Sequence, residues 1–128
     1  MTDNFLNLFD SYVQMTESDI ELCKTYFEFK TLPKNTIVEE DNTIPKNLYF
    51  IAAGFMRLYY YDDNGDEITT HIASPNRFIT SFLNFIHEKK SNENLECITD
   101  CDFYKIERTK LVELIDKNEK FKKFSLVI

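Results

Sequence analysis

The sequence predicts an α+β domain in which an antiparallel β-roll is flanked by N- and C-terminal helices. The roll is a double-stranded β-helix, or jelly-roll-like barrel. Three observations predict it. Short β-branched and aromatic runs recur between residues 30 and 106. Asn64-Gly65 sits between two of those runs as a hairpin signal. Helix-period patterns occupy both ends of the chain. Helices, then many short strands around one short helix, then helices again is the order of an α+β roll.

The N-terminal helices are expected over 3–29. Phe5, Leu6, Leu8, Phe9 and Val13 stand at helical spacing over 3–13. A second helix is expected to start near Thr16 or Ser18, with Ser18 and Glu21 as a capping box. Ile20, Cys23 and Phe27 form its apolar face, and Pro33 ends any helix before it.

The β-roll is expected over 30–106. Its strands are read at Thr36-Ile37-Val38, Leu48 to Ala52, Phe55 to Tyr61 and Glu67 to Ala73, with a turn or bulge at Gly54. Asn64 and Gly65 both tolerate positive φ, which is what makes the pair a hairpin signal. Alternation sets Ile68, Thr70 and Ile72 on one face of the fourth run and Glu67, Thr69 and His71 on the other. A short helix over 79–88 is expected to carry Ile79, Phe82, Leu83 and Ile86 on one side. Leu95 to Ile106 reads as two strands around Thr99-Asp100. The C-terminal helices occupy 108–128: Arg108 to Lys117 with Leu111, Leu114 and Ile115 inward, then a helix from Glu119 carrying Phe121, Phe124 and Leu126.

The 128 residues fit a single domain over 1–128, large enough to bury roughly two thirds of its unfolded surface without a disulfide or metal. Hydrophobic residues are 43% and aromatics 15%, too much apolar surface for a disordered chain. A net charge of −7 argues against this segment binding nucleic acid, which rests on Lys and Arg neutralising phosphates. Three cysteines, Cys23, Cys97 and Cys101, make no disulfide framework. The polar, acidic start shows no signal peptide, and no apolar run approaches the ~20 residues that span a bilayer. A cytoplasmic protein with reduced thiols and no membrane partner is expected.

Leu48-Tyr49-Phe50-Ile51-Ala52-Ala53-Gly54-Phe55-Met56-Arg57-Leu58-Tyr59, the hairpin turn Asp63-Asn64-Gly65-Asp66-Glu67 and the corner Ile98-Thr99-Asp100-Cys101-Asp102 together resemble the cyclic-nucleotide-binding fold. The run Leu32 to Asn42 resembles its first strand and turn, and the likeness covers about 15 to 124. Within that fold the chain is similar to the Crp/Fnr family, in particular its Bacteroidetes-type members. The resemblance implies the effector-sensing domain of a bacterial transcription regulator, homodimeric in the full-length protein. In such regulators DNA is held by a C-terminal helix-turn-helix, which is absent from these 128 residues.

The resemblance also implies a phosphate-binding cassette, and here the sequence departs from it. Family members that bind cyclic nucleotides start the short helix with Gly-Glu and follow it with Arg-Ser-Ala or Arg-Thr-Ala. The helix start and the Arg hold the cyclic phosphate, and the Glu holds the ribose. The aligned residues are Thr80 and Ser81, then Ser91, Asn92 and Glu93. The cationic partner is gone, and Glu93 brings a negative charge to the same place. Such a loss costs ~2–5 kcal/mol, or about two to four powers of ten in affinity. Cyclic AMP is therefore not the expected ligand. The candidate effector pocket lies between the strands and the short helix, with Thr80, Ser81, Phe82, Ser91, Asn92 and Asn94 as its residues. Its effector is an unknown small molecule or none. The alternative is a ligand-free dimerisation or interaction module on the same fold.

No enzyme is expected. There is no nucleophile elbow, P-loop or dinucleotide fingerprint. His71 and His87 lack the His-x-His spacing of a cupin metal site, and Cys97 with Cys101 offer too few ligands for zinc or an iron–sulfur cluster, so no cofactor or metal is expected. The thiols read as buried and structural, with a Cys97–Cys101 redox switch as the sharper alternative. Tyr59-Tyr60-Tyr61 reads as one strand with two rings at the surface and one inside, rather than as a base-stacking platform. Arg57 is either a solvated strand residue or a residue of the barrel mouth.

Overall fold

The computed structural model describes residues 16–125. The expected helix over 3–13, and Leu126, lie outside them. Helix α1 runs Glu17–Tyr26. Its capping box is Thr16 with Asp19, two residues before the Ser18–Glu21 pair expected: Thr16 Oγ1 accepts the Asp19 N–H at 3.2 Å, and Asp19 Oδ2 accepts the Thr16 N–H at 2.8 Å. The helix also stops earlier than expected. Phe27 is extended at the C-cap, and β1, Glu28–Leu32, begins at once.

Seven more strands follow: β2 Ile37–Glu39, β3 Asn47–Ala53, β4 Met56–Tyr61, β5 Glu67–Ala73, β6 Phe78–Ile79, β7 Asn94–Cys97 and β8 Cys101–Glu107. Helix α2, Phe82–His87, lies between β6 and β7. Helices α3, Arg108–Lys117, and α4, Glu119–Ser125, close the described chain. The strands form two antiparallel sheets, ordered β1-β8-β3-β6 and β2-β7-β4-β5. The α+β β-roll predicted from the pattern is the architecture observed.

Burial follows the pleat. Tyr49 and Ile51 of β3, Met56 and Leu58 of β4, Leu95 of β7 and Phe103 of β8 fill the space between the sheets. The alternate residues Leu48, Phe50, Tyr104 and Ile106 pack the other face of the first sheet against Cys23, Phe85, Leu114 and Phe121 from the helices. Strand β3 is thus buried on both faces, which its unbroken run Leu48-Tyr49-Phe50-Ile51 anticipates. Each fully buried side chain such as Phe50 or Phe103 contributes about 1.5–3 kcal/mol of apolar burial.

Gly54 joins β3 to β4 with φ +88°. A Cβ there would stand 2.2 Å from the Asp100 carbonyl oxygen. The turn between β3 and β4 and the corner between β7 and β8 therefore touch backbone to backbone. Phe55 N–H donates to Thr99 Oγ1 at 3.1 Å, and Ile98 N–H donates to the Phe55 carbonyl at 2.8 Å. Two sequence motifs 44 residues apart form one joint.

The β4–β5 hairpin forms where Asn64-Gly65 signals it. Only Gly65 has positive φ, +82°; Asn64 does not. Gly65 N–H bonds the Asp62 carbonyl at 3.0 Å, and the Asp62 carboxylate accepts the Asn64 and Asp66 N–H groups, each at 2.9 Å. The acidic side chain builds the turn, so a single left-handed residue suffices.

Strand β5 also departs from strict alternation. Leu58 pairs with His71 and Tyr59 with Thr69, so Thr70 is an extra residue in a bulge. Beyond the bulge, the expected faces of His71 and Ile72 are exchanged. Ile72 lies opposite Arg57 and is 58% exposed, while His71 and Thr70 turn to the cavity described below.

On α2 the inward residue is Phe85, fully buried; Phe82, Leu83 and Ile86, read as sharing one side of the helix, are exposed. Ile79 is buried but belongs to β6. A six-residue helix following a buried strand end is oriented by where that strand delivers it, and the Ser81 turn presents the fourth helical residue, Phe85, to the sheet. On α3, Leu114 is buried and Leu111 packs beside the helix core, as its pattern predicts.

Candidate functional site

A cavity of about 550 Å³ opens between β4, β5, β6 and α2. Its walls are Leu48, Leu58, Phe78, Ile79, Phe82 and Leu83; its polar groups are Thr70, His71, Thr80, Ser81, Asn84 and Glu93. An apolar enclosure with a few converging polar groups is the ordinary form of a small-molecule site.

The sequence brings these groups together through three local features. The β5 bulge turns Thr70 towards Glu93, and their side chains are hydrogen-bonded. Ser81 stands at the N-cap of α2, yet its hydroxyl makes no capping bond and instead donates to Glu93 Oε1 at 2.7 Å. Ser91 follows α2, where its Oγ lies 2.9 Å from Ser81 Oγ and accepts the Glu93 N–H at 3.0 Å. Since Ser81 gives its proton to Glu93, Ser91 donates to Ser81. The result is a closed ring, from Glu93 N–H through Ser91 and Ser81 back to the Glu93 carboxylate. Both carboxylate oxygens are thereby oriented, and each retains acceptor capacity.

Thr80 is different. It is 9% exposed, lines the cavity, and its hydroxyl oxygen makes no hydrogen bond. A buried hydroxyl without a partner costs about 1–3 kcal/mol.

Of the six residues expected at the pocket, the structure sets Thr80, Ser81 and Phe82 in the cavity wall. Ser91 stands behind them, joined through its hydroxyl. Asn94 does not reach the wall: it is the first residue of β7, and its Oδ1 accepts the Asp41 N–H at 2.9 Å to hold the turn after β2. Asn92 is exposed and also lies outside the wall. Sequence reasoning missed Thr70, His71, Phe78 and Leu83. The signal for Thr70 and His71 is hidden by the bulge, which no residue type marks.

The remaining sequence candidates have structural partners. Arg57 lies on the outer face of its sheet, neither free in solvent nor at the mouth. Its guanidinium bonds Glu96 at 2.9 Å, Glu67 at 2.8 Å and Thr69 at 3.0 Å, and covers the Tyr59 ring at 4.1 Å. Tyr59 is buried beneath it, Tyr60 is half-buried, and Tyr61 is exposed. All three thiols are buried. Burial, with Asp19 nearby, pushes the Cys23 thiol up to about 12; burial, with Cys101 nearby, does the same for Cys97. Among the described residues no group of three His, Cys, Asp or Glu side chains is placed to hold a metal.

The family model for the cyclic nucleotide-binding domain matches residues 29–118. The chain belongs to that family. An uncharacterised protein of Haemophilus influenzae is 28% identical over 79 residues, 62% of this chain and 60% of its own length. This cyclic nucleotide-binding domain thus spans about three fifths of the curated relative it matches. It superposes on the Thermus thermophilus catabolite activator protein with a TM-score of 0.75 at 16% identity, over 91% of this chain and 55% of that one. The sensor domain of the transcriptional regulator DNR from Pseudomonas aeruginosa gives 0.74 at 10% identity, over 97% and 87%. The shared property at these identities is the fold. No described helix of the domain is long and apolar enough to cross a membrane.

Proposed function

We propose that this chain is the effector-sensing domain of a Crp/Fnr-like transcription regulator whose cavity does not take a cyclic nucleotide. Family membership and the fold shared with a catabolite activator protein support the regulatory reading. One observation carries the rest: among the described residues, the cavity is lined by the Glu93 carboxylate and by no Lys or Arg. A cyclic phosphate would enter unpaired beside a like charge, which costs several kcal/mol.

In this reading the domain acts in the cytoplasm as part of a homodimer, and DNA contact belongs to a separate C-terminal domain. An effector would bias how α3 and α4 dock on the first sheet, since a ligand shifts an equilibrium by its differential affinity for the two states. Calorimetric titration with cyclic AMP is expected to show no saturable binding below millimolar concentration. Saturable micromolar binding overturns the assignment. Reading the gene past codon 128 tests the regulator half, which predicts a basic helix-turn-helix pattern there.

A ligand-free interaction module is the second reading. The exposed apolar side chains Phe82, Leu83 and Ile86 on α2 favour it. A cavity that binds nothing in the experiments below would make it the leading account.

A further inference from the structure

Resting on the reading of this cavity as an effector site, we propose that its effector is a cationic amphiphile: a primary ammonium on an apolar, aromatic-sized body. The ammonium is held by Glu93.

Three features converge on that chemistry. First, Glu93 is the one carboxylate among the described residues of the cavity wall, and its orientation is set in advance by Ser81 and Thr70. A carboxylate fixed by its own hydrogen-bond ring loses little freedom when a ligand arrives, so its charge is available at low entropic cost. Second, the Glu93 oxygens accept from Ser81 and Thr70, and each keeps a lone pair for one more donor. An ammonium carries three donors and no acceptor, which matches a carboxylate that only accepts. Third, the rest of the wall is apolar, with Leu58, Phe78, Ile79 and Phe82 surrounding a space of about 550 Å³. That space suits a hydrocarbon or ring system and offers nothing to a second charged end.

The alternatives fit less well. A carboxylate or phosphate ligand meets Glu93 with no Lys or Arg among the described wall residues to offset it. A wholly apolar ligand covers the Glu93 carboxylate without a counter-charge. A metal ion finds only Glu93 and His71 as carboxylate and imidazole among the described wall residues.

The test uses three isosteric probes, phenethylamine, 2-phenylethanol and phenylacetate, titrated into the ¹⁵N-labelled chain with backbone amide shifts as readout. Phenethylamine is expected to shift the amides of Thr80, Ser81 and Glu93 saturably. The alcohol is expected to bind at least about tenfold more weakly, and phenylacetate not at all. Glu93→Gln should weaken phenethylamine at least about tenfold while leaving the alcohol unchanged, and its amide spectrum reports whether the variant is folded. Equal binding of amine and alcohol, or indifference to Glu93→Gln, overturns the cationic assignment and leaves the cavity as an effector site. No shift in any cavity amide with any probe at 10 mM overturns the effector-site reading with it.

Discussion

The hydroxyls of Ser81 and Ser91 lie 2.9 Å apart, and their bond closes a ring through the backbone and carboxylate of Glu93. The resemblance to cyclic-nucleotide-binding members aligns these two positions with their Glu and Arg. A charged pair aimed at a ligand is replaced here by neutral groups that bind each other. Restoring the cation alone should fail, because an Arg at 91 would pair with Glu93. The double variant Ser91→Arg with Glu93→Ala frees the guanidinium for phosphate. It is expected to bind cyclic AMP about a hundredfold more tightly than Ser91→Arg alone, measured by calorimetry.

Gly54→Ala is expected to be the most damaging single methyl addition in the described chain. The new Cβ would stand 2.2 Å from the Asp100 carbonyl oxygen, backbone that has no rotamer to move. The positive φ adds about 1–2 kcal/mol of its own, and forced overpacking adds typically 1–3 kcal/mol. A loss of about 3 kcal/mol or more in urea unfolding is expected. Gly65→Ala is the control: nothing lies within 4 Å of its Cβ, so only the φ cost remains.

Asp19 joins α1 to α4. Burial opposes its ionisation, but bonds from Lys120 at 2.7 Å, the Thr16 N–H and Asn118 at 2.7 Å outweigh it and hold the carboxyl well below the ordinary carboxylate range. A folded pKa below the unfolded one gives stability that is complete above the unfolded value of about 3.8 and fades as pH falls through the folded one. Asp19→Asn should therefore cost about 1–3 kcal/mol at pH 7, and the gap to wild type should narrow below pH 4. A gap that stays constant down to pH 2 would contradict this account.

The thiols should be silent in the native state. Cys23, Cys97 and Cys101 are buried, and for Cys23 and Cys97 burial raises the pKa to about 12, far from the thiolate form that reacts. Reaction with a disulfide reagent is expected only at the rate of unfolding, with three equivalents released in denaturant. Rapid native modification of Cys97 or Cys101 would restore the redox-switch reading.

The parts of this molecule legible in sequence are those where one signal suffices. The unbroken apolar run of β3 places it between two layers, and Asn64-Gly65 places the hairpin. The corner Thr99-Asp100 separates β7 from β8 as read. What stayed hidden depends on a partner. Asp62 takes over half of the hairpin turn, a job its residue type leaves open. In α2, Phe82, Leu83, Phe85 and Ile86 crowd a turn and a half, so periodicity cannot choose among them; the strand before it does. At the site, alignment reaches Thr80, Ser81 and Ser91, and it notes Glu93 as a charge out of place. It does not reach Thr70, because a bulge is a property of two strands in register and β5 alone reads as regular alternation.

That bulge has a bearing on how copies of the chain meet. Strand β5 is the outer strand of its sheet and exposes Ile68 and Ile72 in a run rich in Thr, the composition of a self-pairing edge. The extra residue at Thr70 interrupts the row of free backbone groups and sharpens the local twist, so a second β5 cannot lie flush along it. The residue that turns a hydroxyl towards Glu93 thus also guards the sheet against growing from molecule to molecule. Excising Thr70 should lower the concentration at which the domain stays monodisperse as well as empty the cavity of one of its polar groups.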